Sequence, residues 1–475
     1  IKSDGKNKDK PDSGVVQQMD IIKSLMERSD VEGIISATDD DREGQIIADE
    51  IINYISPQKP VERILLNEWT AEEVNRGLQN LKPNEEMKSL QDAGFGRQIA
   101  DWLIGINLTS VATLKYRNQK NIRLLNVGRV LMPTLKIIYD RDKEIADFKV
   151  TKYYKLKGIF QTEDKKKFDS IYYIKAGEKF DNPEELKEIQ EKIKDKNGEV
   201  VSKKITNKKE YPPYLFNLSG LQGYITSKYK GWTSDRVLKT AQQLYEKKFI
   251  TYPRTASVVL DESLKEKTAK VLNIHKKSCP YEEMIQFKST KRIFDSKKVE
   301  SHSAIIPTYM QPGSLNESER IVYEAVKNRF LAQFMPIAVA EDTVLHIKMQ
   351  NTDIPGEFVA KGKVQLEAGW KLIEGIDAKE TILPAVKKGD VLPLIKSEIN
   401  EVERKPPKPH TEKTLLKVME TCGKKYEEKE EEQMMMAILS GFSIGTPATR
   451  AETIKKLKDA GYIKAKGKSL SCTDL

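Results

Sequence analysis

The chain has 475 residues, enough at a loose size of about 150 per domain for roughly three domains with separate cores, which excludes a peptide or a bare binding motif. Charged residues make up 32%, above the ordinary share of about 25%, and 81 Lys and Arg against 71 Asp and Glu leave a net charge of +10. That tilt permits a polyanionic partner without requiring one. Cys279, Cys422 and Cys472 stand far apart without a C-x-x-C pair, which argues against a disulfide framework or a four-cysteine zinc site and for a cytoplasmic setting. The longest apolar run, from Met434 to Phe442, is about half of a bilayer span, and the N-terminal KNKDK is no apolar signal region, so no membrane or secretory reading survives.

In chain order, a predicted helix over 16–29 leads to a short buried strand, Gly33 to Ala37, and a second helix whose apolar face is Ile46, Ile47, Ile51 and Ile55. This is a βα unit of a parallel sheet, and with so polar a start the chain is expected to enter its first domain midway. Residues 84–147 read as helical, with one stripe of Ile99, Trp102, Leu103 and Ile106 and another of Leu131, Leu135, Ile138 and Tyr139. From Tyr153 the pattern turns to strands, interrupted by a Lys/Glu-rich helix over 183–195. A second helical block spans 217–334, and strands return over 343–349, 357–366 and 391–396. The strands bracket the helical block, which predicts one β domain made from two pieces. Lys405-Pro406-Pro407 reads as a linker, helices resume after it, and the last residues read as a short strand that stops without a cap. Both ends read as cuts.

Two segments carry chemistry. TDDDREG at 38–44 puts Asp39, Asp41 and Glu43 at the carboxyl end of the first strand, where open parallel sheets place ligand sites. Three such carboxylates suit Mg2+, and they equally suit an acidic helix N-terminus. Gly44 would let the backbone pass close to a ligand, and Arg42 could touch a phosphate. Further on, Val237, Leu238, Ala241, Leu244 and Tyr245 share a helix face that breaks into ITYPRTAS at 250–257. Tyr252 reads either as a half-buried strand aromatic or as a covalent nucleophile with Arg254 beside it to hold a phosphate.

Taken with further motifs in order, the chain resembles the type IA DNA topoisomerases, and within them the bacterial topoisomerase III branch. The motifs are TDDDREG, GRQIADW at 96–102, NVGRVLMPTLKII at 126–138, ITYPRTAS, SHSAIIPT at 301–308, EAGW at 367–370, TEKTLLKVME at 411–420 and IGTPATRAETI at 444–454. The resemblance implies a multidomain toroid of α/β, α and β parts. Its expected divisions are a partial Toprim domain over 1–80, a helical DNA-binding domain over 81–149 and 406–475, a discontinuous β arch over 150–225 and 335–405, and a helical domain carrying the nucleophile over 226–334.

By the same resemblance, Tyr252 attacks a backbone phosphate of single-stranded DNA and keeps the 5′ end as phosphotyrosine. Arg254 stabilises the phosphoryl oxygens, His302 orients the scissile region, and Asp39, Asp41 and Glu43 hold Mg2+. Arg97, Asp101, Gly128, Arg129, Lys417, Thr449 and Arg450 position the strand or support the site, with Lys115, Arg117 and Arg123 as further candidates for groove charge. No ATP and no zinc are expected, since the bond energy is kept in the tyrosyl link and the stretch 461–469 fails the P-loop spacing. A nucleoid-associated monomer follows, with a helicase or single-strand-binding partner left open.

The chain departs from the family pattern in three ways. The chain starts after the strand that carries the family's Glu and Lys, so the chain as given is expected to be impaired in cleavage and rejoining. Leu131 stands in place of Gln, and Ala256 in place of Asp. Two readings therefore stand: a topoisomerase fragment, or a non-enzymatic single-strand-binding remnant. A Toprim nuclease or primase is a third, which explains neither ITYPRTAS nor GTPATR.

Overall fold

The structure is a computed structural model that describes residues 12–66, 71–116, 124–299, 302–421 and 443–474. Its first unit runs α1 (Ser13–Met26), β1 (Ile34–Ser36), α2 (Arg42–Ile55), β2 (Val61–Arg63), α3 (Ala71–Leu78) and β3 (Lys82–Pro83). β1 pairs in parallel with β2 with Ile34 opposite Val61, and β2 pairs antiparallel with β3. Asp41 caps α2 by accepting from the Gly44 amide at 2.7 Å, and Ser56 closes the helix in the left-handed region at φ 51°.

Of the expected isoleucine face of α2, Ile46, Ile51 and Ile55 are half-buried, but the innermost positions are polar. Gln45 and Asp49 are buried with Ala48, whereas Ile47 is 55% exposed. The reason is Arg63 at the end of β2, which is fully buried and needs acceptors. Its Nε donates to Gln45 Oε1 at 3.1 Å, and Gln45 Nε2 donates to Asp49 and Asn84. The demand for polar partners overrides apolar periodicity here.

α4 (Lys88–Tyr116) crosses α2 at Gly94, where an added Cβ would lie 2.4 Å from Ile46 Cγ2 and 2.9 Å from the Arg42 carbonyl. Its predicted core stripe is open instead: Ile99, Trp102, Leu103 and Ile106 are between 46% and 63% exposed. α4 touches α2 near its N-terminal end, and farther along it is met by Leu125 and Val127, whose amides bond Thr113 and Thr109. Neither contact covers the stripe. α5 (Leu131–Ala146) does bury its own, with Ile138 inaccessible and Leu131 and Leu135 packed beside it, although Tyr139 points outward.

Six strands close a barrel in the order β4 (Lys152–Gln161), β5 (Lys167–Tyr173), β8 (Glu357–Glu367), β7 (Ala338–Met349), β6 (Asn197–Glu210) and β9 (Val391–Glu403). Strands from both sides of the helical block thus share one core of Leu156, Phe160, Tyr172, Leu345 and Phe358. One end of it is packed by α6 (Pro183–Ile193), which Asn182 caps and Pro183 starts. The block between them holds α7 (Leu218–Lys228), α8 (Ser234–Glu246), α9 (Lys265–Lys276) and α10 (Glu317–Ala332), with long connections after α8 and α9.

After the short α11 (Lys371–Glu374), the chain ends in α12 (Glu412–Thr421), α13 (Pro447–Asp459), β10 (Ile463–Lys466) and β11 (Ser469–Cys472). These bury Leu416, Met419, Ile454, Leu457 and Leu470 against Ile138 of α5, so sequence-distant segments make one core. Among the described residues no helix is long and apolar enough to cross a membrane.

Candidate active site

The acidic loop is held from below by the Arg63 fork. Nη1 donates to the carbonyls of Ser36 at 3.2 Å and Thr38 at 2.8 Å, and Nη2 to that of Asp39 at 2.6 Å. Gly44 closes the loop from the other side: a Cβ there would lie 2.2 Å from the Asp39 carbonyl oxygen. The close approach that demands glycine is therefore to the loop's own main chain. Burial pushes the Asp40 carboxyl up, against the pull of His302 and Arg63.

The nucleophile segment hangs on the strand-like stretch 304–308. Thr251 N donates to the Ile306 carbonyl at 2.9 Å, Ile250 bridges Pro307, and Thr255 Oγ1 donates to the His302 carbonyl at 2.9 Å. Tyr252 follows, 2% exposed, edge-on to Tyr245 and with its ring centroid 4.4 Å from that of His302. Its hydroxyl donates to Asp39 Oδ2 at 2.8 Å and stands 3.5 Å from Asp41 Oδ2. Burial, then the charges of Asp41 and Asp39, hold the phenol far above its ordinary pKa, with Arg254 pulling the other way. The hydroxyl is thus a proton-bearing donor in this arrangement. Burial lowers the His302 imidazole, opposed by Asp40, Asp41 and Asp39, and the ring hydrogen-bonds the Asp40 main chain.

Glu43 turns away from this point. Arg97 Nη1 holds it at 3.0 Å and Arg42 Nε at 3.2 Å; Arg97 Nε lies 3.7 Å from Asp101, which Arg129 grips with two bonds of 2.7 and 3.1 Å. The result is a charge ladder from α2 through α4 to the segment before α5. Gly128 sits just ahead of it, accepting from Met132 N at 3.1 Å. Burial lowers the Arg97 guanidinium, while the hydrogen bond to Arg129 lowers the Asp101 carboxyl. Among the described residues no three His, Cys, Asp or Glu side chains form a metal-binding group. Asp39 and Asp41, aimed at one hydroxyl, still fit Mg2+, which takes one or two carboxylates and completes its shell with water and phosphate oxygens. Glu43 stands outside that pair.

A cavity of about 1450 Å³ opens beside the loop, lined by Asp39, Asp40, Asp41, Glu43, Arg254, Ala256, Lys298, His302, Lys417, Glu420, Thr449 and Arg450. α8 adds Lys239 with Asp235 and Glu246, and α13 adds Lys455 with Glu452, so both signs of charge face the cavity from several elements. Arg254 brings a buried Nε that has no hydrogen-bond partner. Thr449 spends its hydroxyl on the α13 capping box with Thr446. Arg450 is 2% exposed, bonded to the Ile444 and Gly445 carbonyls and to Ser219 Oγ, so it builds the wall rather than offering a free fork. Lys115 lies at the far end of α4 over the Tyr116 ring, and Arg117 and Arg123 fall outside the described residues.

Sequence reasoning missed Arg63, Asp40, Lys298, Asn217 and Glu420. Arg63 had a signal: in a short strand beside Val61 its side chain shares the inward face. Asn217 and Glu420 carried none, since each acts through residues far away in the chain.

The family profile described as DNA topoisomerase matches residues 85–475. The chain belongs to the type IA DNA topoisomerases. It is 33% identical to DNA topoisomerase 3 of Bacillus cereus over 96% of its own length and 63% of that protein's, and so spans less than two thirds of that relative. To DNA topoisomerase 3 of Salmonella typhimurium it is 30% identical over 98% of its length and 73% of that protein's. The solved full-length topoisomerase I of Thermotoga maritima superposes with a TM-score of 0.74 at 27% identity, covering 97% of this chain and 71% of that one. The type IA fold therefore extends over the acidic loop as well as the tyrosine segment.

Proposed function

We propose that the protein breaks, passes and rejoins single strands of DNA through a 5′-phosphotyrosine, relaxing negative supercoils or separating linked DNA in the cytoplasm without ATP. One observation carries this: the 2.8 Å bond from the Tyr252 hydroxyl to Asp39, which joins groups 213 residues apart in the chain. The reading divides the chain at the boundaries given above, with the cavity wall of α12 and α13 serving the strand and residues 226–334 serving the nucleophile.

In the reaction, Tyr252 Oη bonds to the scissile phosphorus as the P–O3′ bond breaks, leaving a 3′ hydroxyl. As that bond forms the phenol gives up its proton, and the 3′ oxygen takes one up as it leaves, so the protons balance. Arg254 balances charge on the phosphoryl oxygens and His302 packs the tyrosine ring in place. Asp39 and Asp41 would hold Mg2+, which would supply positive charge to the phosphate. Resealing runs in reverse, and because the phosphodiester bond energy stays in the tyrosyl link, no nucleotide is consumed. Tyr252 is buried and does not itself line the cavity, so the loop and the tyrosine segment must part somewhat before a phosphate reaches the hydroxyl.

With Mg2+ and no ATP, the full-length protein is expected to relax negatively supercoiled plasmid, and EDTA to stop it; relaxation unaffected by EDTA would contradict the metal reading, and none under any condition would contradict the activity. The chain itself is expected to bind single-stranded oligonucleotide with an affinity that falls steeply with salt, as phosphate contacts by Lys and Arg require. A salt-independent Kd would remove the cavity's lysines and arginines from the account as phosphate contacts.

A further inference from the structure

Asn217 stands where three chain segments meet. Its Oδ1 accepts from the Gly220 amide at 2.7 Å and so caps α7, while its Nδ2 donates to the Ala256 carbonyl at 3.0 Å and to Glu420 Oε1 at 2.9 Å. The side chain is buried, and only this amide orientation satisfies it, since a flipped one would set oxygen against two oxygens. Next in the chain, Leu218 N donates to the Thr255 carbonyl at 3.1 Å. Two consecutive carbonyls of the nucleophile segment are thus fixed by Asn217 and Leu218.

On its other side, Glu420 belongs to α12 and lies 3.8 Å from Arg450 Nη1, which donates in turn to Ser219 Oγ at 3.1 Å. Lys417, one helical turn before Glu420, lines the cavity with Glu420, Thr255 and Ala256. The wall that would meet a strand is therefore tied to the backbone of the tyrosine segment through one buried amide and one carboxylate.

We infer that Asn217 is a positioning residue that sets the nucleophile segment in register with the α12–α13 wall, so that where the strand docks fixes where Tyr252 attacks. The inference rests on Tyr252 being the nucleophile. It assigns Asn217 a task beyond capping the start of α7, and it explains why a carboxylate, Glu420, faces a cavity proposed for phosphates: it is the acceptor that holds the amide.

The test separates that task from helix capping. Asn217→Asp keeps the capping acceptor, loses both donations and sets a second carboxylate against Glu420. In the full-length protein, single-turnover covalent capture of a single-stranded oligonucleotide is expected to slow about 100-fold, the cost of a misplacement of roughly 1 Å, with Kd unchanged and a lowered thermal midpoint, since two buried donations are lost and two carboxylates face each other. Adding Glu420→Gln, whose amide can donate to the new carboxylate, is expected to restore the rate by about tenfold. Wild-type capture in Asn217→Asp, or a double variant no faster than the single one, would overturn the inference. Should Asn217→Asp fail to fold, Glu420→Ala serves in its place: a roughly tenfold slower capture is expected, and an unchanged rate would overturn the inference too. A wild-type protein that captures no DNA would instead defeat the assignment of Tyr252.

Discussion

Tyr252→Phe is expected to abolish covalent capture of single-stranded DNA while leaving the fold and the strand affinity close to wild type. The ring keeps its place against Tyr245 and His302, so packing is retained. What is lost is one hydroxyl that donates to Asp39. A bond to a charged group is worth about 1.5–3 kcal/mol when its partner is left dry, but Asp39 is only half-buried and can recruit water, so a cost near 1 kcal/mol is expected. Denaturant melting checks that figure, and a denaturing gel with labelled oligonucleotide checks the adduct. An adduct of normal yield in the variant would move the nucleophile elsewhere, and with it the meaning of the Asp39 contact.

The second large effect belongs to a residue that touches no substrate. Arg63→Met is expected to destabilise the first unit by about 3–5 kcal/mol, the usual cost of removing one partner from a buried charged network. Three carbonyls at the base of the acidic loop would lose their donors, and Asp40 and Asp49 their nearby positive charge. Arg63→Lys is expected to rescue little, because a single ammonium cannot serve Gln45 and three carbonyls at fixed fork geometry. Hydrogen exchange over residues 36–45 should rise sharply in Arg63→Met. Protection like that of wild type would show that the loop is shaped by its own turn and the Gly44 contact alone.

Much of the site was readable because it is built from short local motifs. The loop needs Asp41 to cap α2 and Gly44 to clear the Asp39 carbonyl, and both stand within TDDDREG. The break after α8 that sets Tyr252 and Arg254 on an irregular segment is likewise visible at Pro253. The pairing of these segments is not a local property. Nothing near Tyr252 in the chain announces Asp39, and Glu43 looks like a third metal ligand until Arg97, 54 residues on, is seen to hold it. Arg450 in GTPATR reads as a strand contact, yet lies buried among carbonyls because α13 packs against α7 and α5. The α2 face was read only in part for a related reason: Ile46, Ile51 and Ile55 are half-buried, but a buried guanidinium recruited Gln45 to the innermost side. The exposed stripe on α4 shows the converse, an apolar pattern that states what a helix offers without stating what meets it.

The account turns on the polarity of the covalent bond that Tyr252 makes, and one measurement reads it directly. A single-stranded oligonucleotide is labelled separately at its 5′ and 3′ ends, incubated with the full-length protein and Mg2+, and denatured. The account predicts that the protein carries the 3′ label, because Tyr252 holds the 5′ phosphate of the downstream piece while the upstream piece leaves with a free 3′ hydroxyl. Protein carrying the 5′ label, or label retained by Tyr252→Phe, would contradict it.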